Sequence, residues 1–222
     1  MKTRLPLSRR PLVAFTLLEL MVVALTLFLL ALLVLPNIQH YGGRYPATRI
    51  RCVTNLKQVG LSFLVWTGDN GNRYPMYVPV TNGGAMELVA DGLVAPIFGV
   101  MSNELGTPKM LFCPADAERA LATTWNSFHD ANVSYFVSLS ATNNADPAMW
   151  LAGDRNLTNG TARVRGVLTV PTNSVVGWTR AMHNLQGNVC FADGSVQQLS
   201  AAGLPASLRT QSVSPLRLLM PQ

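Results

Sequence analysis

Residues equipped for chemistry are sparse in this chain. His183 and Asp193-Gly194 are separated by nine residues, and Ser195 follows directly. A His and an Asp that meet can act as an acid–base pair or as two ligands of a metal ion. Two ligands do not close a metal site, and spacing names no third, so no metal ligand is assigned. A catalytic pair needs a nucleophile or an oxyanion donor beside it. Ser195 lacks the G-x-S-x-G elbow that would present it. A His–Asp ectoenzyme would need the two side chains within hydrogen-bond reach in a cleft. The preferred reading is not an enzyme: Asp193-Gly194 serve a turn and His183 caps its loop by hydrogen bonding.

Three cysteines, Cys52, Cys113 and Cys190, allow one disulfide and one leftover thiol in an oxidising compartment. Cys52 with Cys113 is the favoured pair, because Cys190 sits inside a strongly apolar strand pattern. Three buried free cysteines acting as small apolar residues are the alternative. Asp69-Asn70-Gly71-Asn72 hints at calcium, but the spacing fails the alternate-ligand pattern of an EF-hand, and a helix-ending turn accounts for it. Asp154-Arg155 reads as a solvated or structural ion pair. Trp125, Trp150 and Trp178 would stack on sugars if exposed, although aromatics in a small sheet domain are more often core. No phosphate loop or zinc cluster is present, and no cofactor is assigned apart from the calcium hint.

The element that must position all of this lies near the start. Phe15 to Leu35 is an apolar run whose only charge is Glu19, and Pro36 follows it. About 20 such residues in a helix cross the roughly 30 Å hydrocarbon core of a bilayer. A buried core helix is the competing reading, disfavoured by the length and apolarity. A carboxylate in such a span needs a partner or a function. Residues 1–14 carry Lys2, Arg4, Arg9 and Arg10 without an acid and end in the small residue Ala14. Cleavage between Ala14 and Phe15 would place a new ammonium four residues before Glu19, where the two charges could pair.

The chain's 222 residues suffice for one anchor and one modest domain. Its 17 basic and 11 acidic residues give +6, with a pI near 9.7. Removing the leader leaves 13 basic against 11 acidic residues, or +2. A near-neutral remainder makes no electrostatic footprint for nucleic acid, so no such partner is expected. The basic leader suits a cytoplasmic flank, a rule only partly supported, since Arg44, Arg49, Arg51 and Lys57 follow the span. A standard secretory signal would have a shorter apolar region and a small-x-small cleavage site, which Leu33-Val34-Leu35-Pro36-Asn37 does not offer.

Beyond the span, Gly42-Gly43 and Pro46 predict a break or hinge at about Tyr41–Pro46. Cys52, Leu56, Val59, Phe63 and Trp66 recur at helical spacing, predicting an amphipathic helix from about Ala47 or Thr48 that ends at Gly68-Asp69-Asn70-Gly71. Residues 73–80 read as a short extended edge segment, and Ala85–Asp91 as a short helix stopped by Gly92. Asn132–Leu139, Met149–Asn156, Ser174–Trp178, Asn188–Ala192 and Ser195–Leu199 read as strands. Asp193-Gly194 between the last two predicts a two-residue hairpin turn.

The run Ala14-Phe15-Thr16-Leu17-Leu18-Glu19-Leu20-Met21-Val22-Val23 resembles the N-terminus of type IV prepilins and type II secretion pseudopilins. The resemblance implies that a prepilin peptidase cuts between Ala14 and Phe15 and methylates the new amine of Phe15. Glu19 then serves assembly, registering each subunit against its neighbour in a filament. Ala14 stands where most of that family carries Gly. Arg51-Cys52-Val53-Thr54-Asn55-Leu56-Lys57-Gln58-Val59-Gly60-Leu61 and Met110-Leu111-Phe112-Cys113-Pro114-Ala115-Asp116 are similar to segments of a narrower group, prepilin-like proteins of planctomycetes and verrucomicrobia. His183 with Asp193 and Gly194 matches the H-x9-DG motif, of unknown role, that names the C-terminal domain of this group.

The expected organisation is a cleaved leader (1–14), a transmembrane and assembly helix (15–36), a hinge (37–46) and a pilin-like α+β domain (47–222), with the H-x9-DG region at about 174–200. The fold class is α+β: an N-terminal transmembrane helix, then an amphipathic helix packed on a small antiparallel sheet. The function implied is a structural subunit of a type II secretion or type IV pilus-like filament. Its partners would be the prepilin peptidase, other pilin or pseudopilin subunits in a homo- or hetero-filament, and the inner membrane. The chain would cross that membrane once, N-terminus cytoplasmic and C-terminal domain periplasmic, or stand in a filament or at the cell surface. The alternative is a membrane-anchored module, like a minor pilin, that recognises a polysaccharide or a surface.

Overall fold

The computed structural model describes residues 16–40, 44–142, 146–160, 166–171 and 173–222, with burial of side chains at 33–40 and 44–46 left aside. The expected leader, the Ala14–Phe15 cleavage pair and residues 41–43 of the expected hinge lie outside the described residues. The chain divides into two compact units, Met1–Arg44 and Tyr45–Gln222.

The first unit carries helix α1, Leu17–His40. Thr16 Oγ1 accepts from the Glu19 N–H at 3.3 Å, and Glu19 Oε2 accepts from the Thr16 N–H at 2.9 Å. This reciprocal capping box satisfies two donors that a helix start otherwise leaves open. The helix runs past Pro36, where the sequence predicts its end. Every side chain from Thr16 to Leu32 is exposed, and nearly all are apolar. Among the described residues no helix is long and apolar enough to cross a membrane. The side chains of α1 are described only as far as Leu32, short of the end of the apolar run at Leu35.

The second unit is α+β. Helix α2, Arg44–Asp69, starts ahead of the expected Ala47 or Thr48. Pro46 is the reason for the difference: it reads as a breaker, yet a first helical turn has no intrahelical bond for Pro to lose. Cys52, Leu56, Val59 and Phe63 are fully buried and Trp66 nearly so, the one apolar face that the spacing predicts. At the far end the N–H of Asn72 bonds Thr67 O at 2.8 Å, with Gly71 and Asn72 both at positive φ. Asp69-Asn70-Gly71-Asn72 is thus a helix-terminating turn. The expected extended segment at 73–80 is instead built of single 3₁₀ turns at Pro75–Tyr77 and Val80–Asn82. The prolines at 75 and 79 that confine a strand to an edge also open such turns. Leu88–Asp91 is a 3₁₀ turn stopped by Gly92 at φ 73°. Two short helices follow, α3 (Ala95–Val100) and α4 (Ser102–Leu105).

The strands are β1 (Tyr135–Ser138), β2 (Trp150–Asp154), β3 (Leu157–Thr158), β4 (Gly166–Val170), β5 (Gly177–Trp178), β6 (Gln186–Phe191), β7 (Val196–Ser200) and β8 (Leu216–Met220), with helix α5 (Leu204–Arg209) before β8. Six form one antiparallel sheet in the order β4-β8-β1-β2-β6-β7, while β3 and β5 pair separately. The sequence reading assigned neither β4, β8 nor α5, and it extended the 174–178 strand too far. The sheet is covered on both sides. One cluster joins the apolar face of α2 to Tyr135, Val137, Leu151 and Cys190. The other joins Phe136, Trp150, Val189 and Phe191 to Leu204 and Leu208 of α5 and to Trp178 of β5. Burial on two faces explains why β1 and β2 are apolar at nearly every position rather than at alternate ones.

The β6–β7 hairpin departs from the two-residue turn expected at Asp193-Gly194. The Gly194 N–H bonds Phe191 O at 2.9 Å, the Phe191 N–H bonds Ser195 O at 2.9 Å, and only Gly194 has positive φ. This is a three-residue loop, a type I turn followed by a left-handed glycine. The hairpin lies against α2 through Gly60: a Cβ there would sit 2.3 Å from Cys190 Sγ, with Gly194 Cα at 3.6 Å.

Candidate functional site

The three motif segments of the sequence meet in one buried cluster. Cys52 is on the inward face of α2, and Cys113 is in the segment after α4. Asn55 Nδ2 donates to Phe112 O at 3.0 Å, and the Cys113 N–H donates to Ser134 Oγ at 3.0 Å. These bonds set Cys113 opposite Cys52, and the two form a disulfide with Cα atoms 5.0 Å apart. Both residues have no exposed surface, and Cys190 is a buried free thiol. Burial, with the Asp193 charge as a second cause, pushes the Cys190 thiol up to about 12, so it stays protonated and apolar.

His183 completes the cluster from the loop before β6. Its Nε2 lies 3.4 Å from Cys113 Sγ and 3.3 Å from Asp154 Oδ2. The loop is held open by two non-glycine residues at positive φ, Asn184 at 51° and Leu185 at 63°. Such conformations cost energy and gather where a side chain must be aimed. Arg49 of α2 fastens the same loop, donating to Gln186 Oε1 at 2.6 Å and to His183 O at 3.4 Å.

Asp154, at the end of β2, is fully buried. Its Oδ2 accepts from the Asn188 N–H at 2.7 Å and from Asn188 Nδ2 at 2.8 Å. Its Oδ1 is buried with no hydrogen-bond partner among the described residues. Burial raises the Asp154 carboxyl to about 7, against the pull of the two Asn188 donors. Burial likewise lowers the His183 imidazole to about 4, helped by the Arg49 charge. Near neutral pH the ring is therefore uncharged and acts as donor or lone-pair acceptor, not as a cation. Tyr135, also fully buried, has its phenol pushed well up by desolvation first and by the Asp154 charge second.

The structure does not pair His183 with Asp193. Asp193 is exposed, and its Oδ1 accepts the Ser195 N–H at 2.8 Å inside its own turn. The H-x9-DG motif thus splits into a buried His that meets the disulfide and a turn that carries the hairpin against α2. His183 does not cap its loop, as the sequence reading preferred, but points inward to sulfur and carboxylate. Asp154 and Arg155 are not an ion pair with each other. Arg155 instead makes a bidentate contact with buried Asp116 at 2.6 Å and reaches Glu118 at 2.9 Å. Sequence reasoning missed Asp154 as the carboxylate of the cluster. The available signal was the position of Asp154 at the end of an apolar strand, where a charge is seldom placed without a partner.

Among the described residues, Cys52, Cys113 and His183 are the one group of three or more His, Cys, Asp or Glu side chains whose ligand atoms lie within 4.8 Å of one another. Trp150 and Trp178 are buried and unavailable for stacking on a sugar. Trp125 is half-buried and packs edge-on against Phe128, ring centroids 5.2 Å apart. These two rings line an open groove of about 440 Å³ with Pro96, Gly99 and His129.

No family model matches the chain, and neither a curated protein nor a solved structure is found to be similar to it.

Proposed function

We propose that the chain is a structural subunit, of the pilin or pseudopilin kind, of a type II secretion or type IV pilus-like filament. It would be held in the inner membrane by the apolar run Phe15–Leu35 until assembly. The observation that carries this reading is α1: from Leu17 to Leu32, where its side chains are described, every one is exposed and all but Glu19 and Thr26 are apolar, with that acid in the first turn. A helix of that kind needs apolar surroundings, either lipid or copies of itself. Exchange of lipid for neighbouring helices would be the assembly step, and the Phe15 amine freed by a prepilin peptidase would neutralise Glu19 of a neighbour. No enzymatic step is assigned to the chain.

The capping box gives Glu19 a local role as well, and the test separates the two. Gln at this position still accepts the Thr16 N–H, so Glu19→Gln keeps the cap and removes the charge. The expected outcome is normal membrane insertion with filament incorporation lost, read by shearing filaments from the native host and blotting. Wild-type incorporation of Glu19→Gln would leave Glu19 a capping residue only.

The groove at Trp125 favours a second reading, an anchored module that binds a surface polysaccharide. With Trp150 and Trp178 inside the core, that reading rests on Trp125 and Phe128. Trp125→Ala should then abolish retention on an immobilised polysaccharide while circular dichroism still shows the folded chain, and retention at the wild-type level would reject this reading.

A further inference from the structure

We propose that Cys52, Cys113, His183 and Asp154 form a tetrahedral zinc-type metal site in the reduced protein, so that one buried cluster holds either a disulfide or a metal ion. Ligand types and distances carry the inference. Two thiolates, an imidazole and a carboxylate are a donor set suited to Zn²⁺, with bonds of about 2.0–2.3 Å that put neighbouring ligand atoms roughly 3.3–3.8 Å apart. The His183 Nε2 to Cys113 Sγ distance is 3.4 Å, and Nε2 to Asp154 Oδ2 is 3.3 Å. Two edges of the tetrahedron therefore already stand near their final lengths. The sulfurs, now bonded to each other, must part, and Asp154, which lies outside the Cys52–Cys113–His183 group whose ligand atoms stand within 4.8 Å of one another, must move toward them.

The carboxylate supplies an independent observation. Asp154 Oδ1 is fully buried and unpartnered, while Oδ2 is held by both N–H groups of Asn188. A buried carboxylate with one unpartnered oxygen costs stability, and a cation bound by that carboxylate offsets part of the cost. Asn188 then serves as the outer partner that metal-ligating carboxylates carry. His183 turns Nε2 toward Cys113 Sγ and Asp154 Oδ2, where a lone pair on that nitrogen can face an ion. The Arg49 anchor holds the backbone of the loop that carries His183, with Asn184 and Leu185 at positive φ beside it.

The conversion balances. A dithiol reductant gives two electrons and two protons to the disulfide, becomes a disulfide itself, and leaves Cys52 and Cys113 as thiols. Zn²⁺ then displaces both thiol protons, and any proton carried by the Asp154 carboxyl, to solvent. Two thiolates, one carboxylate and the divalent ion leave a net charge of −1 on the site. All four ligand residues are nearly or wholly buried, so the ion enters during folding or a local opening.

The test uses the full chain in detergent, reduced with a dithiol, refolded without oxygen, and titrated with Co²⁺ as a spectroscopic probe. One equivalent should produce the near-ultraviolet thiolate-to-cobalt band and the visible bands of tetrahedral cobalt. The oxidised chain should produce neither. Cys190→Ser should match wild type, and His183→Ala should weaken binding at least tenfold. Because variants of buried residues can fail to fold, X-ray absorption of the reduced wild-type chain loaded with Zn²⁺ gives a second readout, expected to show two sulfur and two nitrogen or oxygen neighbours. Absence of the thiolate band in reduced wild type, its persistence when Cys52 and Cys113 are both Ser, or a zinc shell without sulfur would each overturn the proposal.

Discussion

Removing the Cys52–Cys113 bridge tests how much of the second unit depends on the junction of its motif segments. The two cysteines are 61 residues apart in sequence. A cross-link closing a loop of that length removes about 14 cal/mol/K of chain entropy from the unfolded state, or about 4 kcal/mol at 25 °C. Cys52→Ala with Cys113→Ala removes the link and leaves no odd thiol beside His183 or Cys190. Both sites are fully buried, so a small cavity adds to the loss rather than offsetting it. Urea unfolding followed by tryptophan fluorescence is the assay, since Trp66, Trp150 and Trp178 are buried and report loss of the core. The double variant should lose about 4 kcal/mol, and wild type reduced in the presence of a chelator should lose a similar amount. A loss under about 1 kcal/mol in both would refute the reasoning, because native disulfides removed from small domains typically cost more.

Two further predictions follow from the same unit. Gly60→Ala drives a methyl group into Cys190 Sγ and should cost about 1–3 kcal/mol. Cys190→Ala should recover a measurable part of that cost in a double-mutant cycle, and strictly additive effects would show that the contact is not the cause. The pH dependence of stability should come from opposing groups. Asp154 has its pKa raised from 3.8 to about 7, so its contribution is complete below pH 3.8 and lost as pH rises through 7, about 4 kcal/mol over the whole range. His183 is lowered from 6.5 to about 4, so its contribution is complete above pH 6.5 and lost as pH falls through 4. Between about pH 4 and 6.5 the two slopes oppose, and wild-type stability should be nearly flat before it declines between about pH 6.5 and 7 and then levels off. Asp154→Asn should unmask His183 and gain stability as pH rises from 4 to 6.5. Parallel profiles for variant and wild type, measured by urea unfolding across that range, would contradict the assignment.

Much of the fold follows from local pattern, and the misses have physical causes. The face of α2 is readable because Cys52, Leu56, Val59, Phe63 and Trp66 repeat at helical spacing against one apolar surface. The β6–β7 hairpin is readable from Asp193-Gly194, although its loop takes three residues. The fate of β8 is not local: Leu216–Met220 is a strand because β4 and β1 flank it, and nothing near position 216 announces them. Thr16 and Glu19 carry the spacing of a capping box, and the same Glu19 is the one charge of an apolar run, so its type fits a cap and a membrane charge alike. At the cluster, the residue types of Cys52, Cys113 and His183 were visible, while their meeting depends on α2, the segment after α4 and a strained loop arriving together. Asp154 was hidden by its neighbour, since Arg155 supplied an apparent partner that in the structure binds Asp116 and Glu118 instead.

The central claim concerns processing and assembly, and mass spectrometry of the chain's N-terminus, purified from its native host, tests it most directly. The account predicts a chain that begins at Phe15 with a methyl group on its amine. A chain retaining residues 1–14 ahead of Phe15 would contradict it.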